Sequence, residues 1–251
     1  MRAFFAAGFI ALLLVLVPSH AAVTPPWEKA QALLDKVMPE LLAGGIKALA
    51  PHVDEFEQAL ADADKPFDSG DANTVVLLTD GMMDQMVAVA AATKALPGKK
   101  IVTVPDPYPA MALYLGSYYN EIGKPADALR VLEREKKRNI GTTGDHCAGL
   151  TSERAIALLQ LGRLEESLAT YDAGLKLDNI DDSGRARMHR GRGYVLTELG
   201  RLDEAEAAYK ESLKYEPGNP IALGELDYIA KLKKGGKKAP GGIVLPKSDN
   251  S

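Results

Sequence analysis

The amino-acid sequence predicts a mainly α-helical protein, a series of repeated helical hairpins preceded by a helical segment that carries two short strands. Three observations predict it. Turning glycines recur at Gly123, Gly162 and Gly200, at intervals of 39 and 38 residues, each inside a similar phrase: "NEIGKPADAL", "LQLGRLEESL" and "TELGRLDEAE". Seven residues before each glycine stands a small residue (Gly116, Ala155, Gly193), and five after it another (Ala128, Ser167, Ala205). Bulky residues keep the same register, with Tyr119, Leu158 and Leu196 four before the glycine and Leu132, Tyr171 and Tyr209 nine after it. Small and bulky side chains therefore share a face of each helix, and two helices can interlock across each turn.

Taken in chain order, residues 1–21 read as an export signal. Arg2 supplies the positive start, Ala3 to Val17 the apolar run, and Ser19-His20-Ala21 the small residues at the two positions a signal peptidase reads. The apolar run is short for a bilayer span, which takes about 20 apolar residues. The expectation is cleavage after Ala21 and a soluble periplasmic or secreted protein with no stable membrane insertion; an uncleaved anchor is the alternative.

Residues 22–105 form an amino-terminal segment without the repeat phrase. "PPWEKAQALLDKVMPELLAG" places Trp27, Ala30, Leu33, Leu34 and Val37 at helical spacing, and Gly44-Gly45 ends it. A second helix is expected over about Ile46 to Ala63. "TVVLLTDG", a helix from Met82 to Leu96 and "KKIVTVPDPYP" then read as strand, helix, strand, and a helical crossover makes the strands parallel. Two strands are barely stable alone, so they are expected to lean on the first hairpin, in one continuous body.

Residues 106–218 hold the three hairpins, 219–234 a capping helix with Asn219 as N-cap and Pro220 in its first turn, and 235–251 a disordered tail. In each hairpin the glycine closes the first helix through a left-handed turn, and Pro217 follows the last. This pattern resembles the tetratricopeptide repeat. The third unit carries it best, through Gly193, Tyr194, Leu196, Gly200, Ala205, Tyr209 and Pro217. The first lacks the closing proline, and the second has Arg154 in place of the usual leucine and Gly174 inside its second helix. Both intervals exceed the 34 residues of this repeat. The surplus is expected in residues 133–149 and 176–187, as longer second helices or looser loops.

The resemblance implies that the hairpins stack into a superhelix, and that the protein is a non-enzymatic protein-interaction module with a groove lined by the first helix of each hairpin. On that side Arg187, Arg190 and Tyr194 stand at i, i+3 and i+7, and preceding units offer Asn120 and Glu121, with Leu113, Ser117, Ser152, Ile156, Leu159 and Gln160 beside them. Two arginines, a tyrosine and amides suit an extended protein or peptide segment, with an acidic group or terminal carboxylate as the anticipated partner feature. A solvated helix face is the bland alternative.

Other signals are weaker. The Thr-Asp-Gly that ends "VVLLTDG" is similar to one metal-proximal loop of von Willebrand factor A domains, but the upstream "FDSGDAN" lacks the second serine and leaves no room for an intervening sheet; Asp80-Gly81 reads better as a helix start. His146-Cys147 could be half of a thiol nucleophile, but neighbours in sequence point different ways, and packing is the simpler role for Cys147. No histidine spacing suggests a metal, and no cofactor is expected. The formal charge of −4 becomes −5 once Arg2 is removed, which argues against nucleic acid. A single cysteine excludes an internal disulfide. The competing functional reading is an enzyme with its site in the amino-terminal third and the repeats as a recruiting arm.

Overall fold

The computed structural model describes residues 24–65, 71–138, 144–178 and 180–237. The stretch read as an export signal and all but the first three residues of the tail lie outside the described residues. Helix α1 (Pro26–Gly44) starts at a proline, which needs no partner for its missing N–H, and turns Ala30, Leu34, Val37 and Leu41 inward at helical spacing. The single helix expected over 46–63 is split. Pro51 has no N–H to donate, so the chain takes a tight 3-10 path over Ile46–His52 and restarts as α2 (Val53–Asp62). His52 sits at this joint, with Nε2 3.0 Å from a Glu40 oxygen and Nδ1 3.2 Å from a Glu55 oxygen. The two carboxylates raise its pKa, Glu40 most.

Strands β1 (Thr74–Thr79) and β2 (Lys100–Pro105) pair in parallel from Thr74 opposite Lys100 to Thr79 opposite Pro105, joined by α3 (Met82–Ala95). The strand-helix-strand reading is thus observed, parallel hand included. Among the described elements α3 touches only these two strands; it buries no side chain fully and leaves Met82, Met83 and Met86 exposed at 75%, 50% and 62%.

The strands do not simply lean on the first hairpin. Leu78 packs on the core shared by α1, α2 and that hairpin, while Asp80 reaches the start of the second. Its carbonyl accepts the Asp145 N–H (2.9 Å), and its carboxylate accepts the His146 N–H (3.0 Å) and lies 2.6 Å from His146 Nδ1. Asp80 is therefore not the cap of α3. That helix has Gly81 before it with no side-chain cap, and the Asp80 carboxylate is spent across the fold.

The hairpins are α4 (Tyr108–Glu121) with α5 (Pro125–Arg138), α6 (Cys147–Gln160) with α7 (Leu164–Gly174), and α8 (Asp182–Glu198) with α9 (Leu202–Tyr215), closed by α10 (Pro220–Lys233). Gly123, Gly162 and Gly200 sit at φ 71, 74 and 76°, where a side chain would be strained. Their small neighbours do what the spacing anticipates: a Cβ on Gly193 would lie 2.8 Å from the Tyr209 ring, and Ala155 and Ala205 are fully buried. The Asn219 side chain accepts the N–H groups of Ile221 and Ala222 at 3.1 and 3.2 Å, so α10 is capped as anticipated.

The surplus in the second interval does not lengthen the second helix. α7 stops at Gly174, where a Cβ would meet Met188 at 2.8 Å, and the extra residues go into the following loop and a 17-residue α8. In the weakest unit Arg154 replaces an apolar contact with a polar bridge, donating from Nη1 to Thr170 Oγ1 at 2.7 Å and from Nε to Glu133. Two cores result. One joins α1, α2 and the first hairpin; the other runs through the second and third hairpins to α10.

Candidate partner-binding face

The first helices α4, α6 and α8 stand side by side, α6 touching both neighbours. The residues read from the sequence as groove-lining meet different fates there. Arg187 is exposed on α8, and Tyr194 is half-buried about two turns further on. Arg190 does not face an open groove. It is 7% exposed and its guanidinium donates from Nη1 to a Glu216 oxygen at 2.5 Å, tying α8 to the end of α9. Desolvation leaves such a group its worth only while it stays paired. Arg190 is thus a structural ion pair, and the expectation of two arginines receiving an acidic partner is reduced to Arg187.

Asn120 is also more buried than anticipated, at 4% exposure. Its Nδ2 donates to the Glu153 backbone oxygen (3.0 Å) and to the Glu153 carboxylate (2.9 Å), joining α4 to α6. Gln160 Nε2 donates to the Asn120 carbonyl at 3.2 Å, from the far end of α6. Glu121 is exposed and pairs at 3.3 Å with Lys47 of the 3-10 segment. Of the accompanying positions, Ser152 and Leu159 are buried, while Leu113, Ser117 and Ile156 are half-buried. The residue that sequence reading missed is Glu153. It is the only acid of α6, a signal that was available, and burial raises its carboxyl pKa.

The other chemical candidate, His146-Cys147, has a structural setting. His146 occupies the position before α6, with its ring held by Asp80, which raises its pKa. Cys147 is the first residue of the helix, and burial raises its thiol, the opposite of what an activated nucleophile needs. Among the described residues no group of three or more His, Cys, Asp and Glu side chains is placed to hold a metal ion, and no helix is long and apolar enough to cross a membrane.

Residues 152–220 match the family model described as Tetratricopeptide repeat. The second and third hairpins match the tetratricopeptide repeat. The matched stretch runs from the second tetratricopeptide unit through the third, so it includes the unit whose sequence departs furthest from the pattern. No curated protein sequence matches the chain. Solved structures similar to it include the first tetratricopeptide domain of human RPAP3 (20% identity, 51% of this chain and 94% of that one, TM-score 0.45). The second domain of that protein, solved in complex with the HSP70 peptide SGPTIEEVD, is 28% identical over 49% of this chain and 98% of its own, with a TM-score of 0.42. MamA is 17% identical over 83% of this chain and 84% of its own, with a TM-score of 0.47.

Proposed function

We propose that this protein is a non-enzymatic adaptor of the bacterial cell envelope whose inner tetratricopeptide face holds an extended segment of a partner protein. The observation that supports this reading most is the continuous face of α4, α6 and α8, on which exposed Arg187, half-buried Tyr194 and the polar Asn120–Glu153–Gln160 set lie together. An extended segment in such a groove is held by side-chain contacts along its length. Export rests on the signal-like residues 1–21. A partner selected for acidity retains Arg187 as its anchor, since Arg190 is taken by Glu216. The enzyme alternative draws nothing from Asp80, His146 and Cys147, whose arrangement holds the β-unit to the second hairpin.

The test is site-specific photo-crosslinking in the native compartment, with the crosslinker placed at Arg187 or Tyr194 and, as a control, at exposed Lys210 on the outer helix α9. A partner captured at one mapped segment from the inner positions and not from Lys210 supports the groove. Capture from Lys210 alone moves the interaction surface to the outer face and overturns it.

A further inference from the structure

At the junction of α4 and α6, hydrogen-bond acceptors outnumber donors. Asn120 Oδ1 and Gln160 Oε1 are both buried without a hydrogen-bond partner, and Asn120 as a whole is 4% exposed. Neither amide gains from being turned over. Asn120 Nδ2 already faces the Glu153 carboxylate, and Gln160 Nε2 already faces a carbonyl, so a flip would set oxygen against oxygen. The Glu153 carboxylate lies in the same junction with unused acceptor capacity, and Ser117 on α4 also donates to it. Burying acceptors without donors costs free energy, so the junction is poised for a group that brings donors.

The nearby cations do not fill this role. Lys47 pairs with Glu121 at the rim, and Arg187, exposed on α8, acts on Glu153 through space without a direct ion pair. The register extends the pattern. The residues two before each turning glycine are Glu121, Gln160 and Glu198, an acceptor on every first helix.

We propose that the junction of Asn120, Glu153 and Gln160 receives a primary ammonium group, the side chain of a lysine in the segment bound along α4, α6 and α8, and opens to admit it. This deepens the adaptor reading and rests on it. The chemistry selects the ammonium. It carries three donors and no acceptor, matching one carboxylate and two amide oxygens, and it sits at the end of a slim, flexible stem. Guanidinium is a broad planar fork, and a carboxylate would bring more acceptors to a site that already has too many.

The test uses the full exported chain and two fluorescent peptides, one alternating serine with lysine and the other serine with glutamate. The lysine peptide should bind, lose affinity as salt rises, and shift backbone NMR signals of α4 and α6. Glu153→Gln should weaken it by about tenfold or more, as loss of one charge-assisted contact does. Gln160→Met, which keeps length and volume but removes an unpartnered oxygen, should weaken it several-fold, and Arg187→Ala should strengthen it by removing the competing cation. Gln160→Met also carries the test if Glu153→Gln proves unstable by circular dichroism. The proposal is overturned if the glutamate peptide binds as well as the lysine peptide, if the lysine peptide does not bind or maps elsewhere, or if both substitutions leave its affinity unchanged. A crosslinked partner seated on the inner face through a segment without lysine overturns this inference and leaves the adaptor reading intact.

Discussion

Asp80 and His146 hold each other twice: the carboxylate faces the ring at 2.6 Å and accepts the same residue's backbone N–H at 3.0 Å. This contact spans 66 residues and joins a strand end to the first turn of a repeat. Asp80→Asn should loosen the β-unit while sparing the helical body. Hydrogen exchange should rise over residues 74–105 and stay unchanged in α8 and α9. Equal acceleration everywhere would mean that the contact supports the whole fold.

Gly193 and Gly224 both lie inside helices but answer oppositely to alanine. A helix-interior Gly→Ala gains about 0.5–1 kcal/mol from propensity alone. At Gly193 the added methyl meets the Tyr209 ring at 2.8 Å, and overpacking costs typically 1–3 kcal/mol, so Gly193→Ala should destabilise. At Gly224 nothing lies within 4 Å, so Gly224→Ala should raise the melting temperature. Two shifts of the same sign would contradict the packing described here.

Arg187 and Arg190 separate by the same logic. Arg190→Glu places two acids against each other in a mostly buried pair and should cost on the order of 3 kcal/mol of stability. Arg187→Glu alters an exposed side chain and should move stability by less than about 0.5 kcal/mol. Urea unfolding of the two variants reads the difference, and a joint charge reversal would confuse unfolding with loss of binding.

His52 gives the amino-terminal core a pH dependence with a definite sign. Its pKa is raised above 6.5 by Glu40 and Glu55, so its contribution is fully present below that value and is lost as pH rises through the folded pKa. The melting-temperature gap between the parent and His52→Asn should therefore shrink from mildly acid to mildly alkaline pH. His146, raised by Asp80, contributes with the same sign, while His189, lowered by burial, contributes with the opposite one. Comparison at the single site removes both. A gap that widens with pH would mean that His52 is buried neutral.

On the proposed reading of residues 1–21 as an export signal, the mature protein should begin at Ala22. Amino-terminal sequencing of the periplasmic or secreted fraction reads this directly, and an intact Met1 in membranes would replace a free adaptor with an anchored one.

What was legible in the sequence is what repeats. Gly123, Gly162 and Gly200, with their small and bulky companions, report the hairpins because each unit solves the same packing problem with the same residue types. The break at Pro51 was legible too, since a proline inside a helix forfeits a hydrogen bond, but the apolar spacing across it masks the break. Pairings between distant residues carry no periodic signal. Glu216 looks like an ordinary residue at a helix end until Arg190 is found beside it, and Arg154 looks like a defect until Glu133 and Thr170 are seen around it. The Asp80 carboxylate likewise reads as a local cap, because nothing in the sequence announces His146.

The outward face of α3 has a chemical consequence. Met82, Met83 and Met86 are open to solvent, whereas Met111 and Met188 are sealed at 0% and 1% exposure. Peroxide would therefore sort these five methionines into two classes. The helix on the β-unit would be converted to sulfoxides first, becoming more polar on a surface where that polarity costs no packing, while the two core methionines stay reduced until the hairpins open. The α3 methionines would thus act as a sacrificial layer, and sulfoxide at Met188 would serve as a mass-spectrometric record that the repeat stack had come apart.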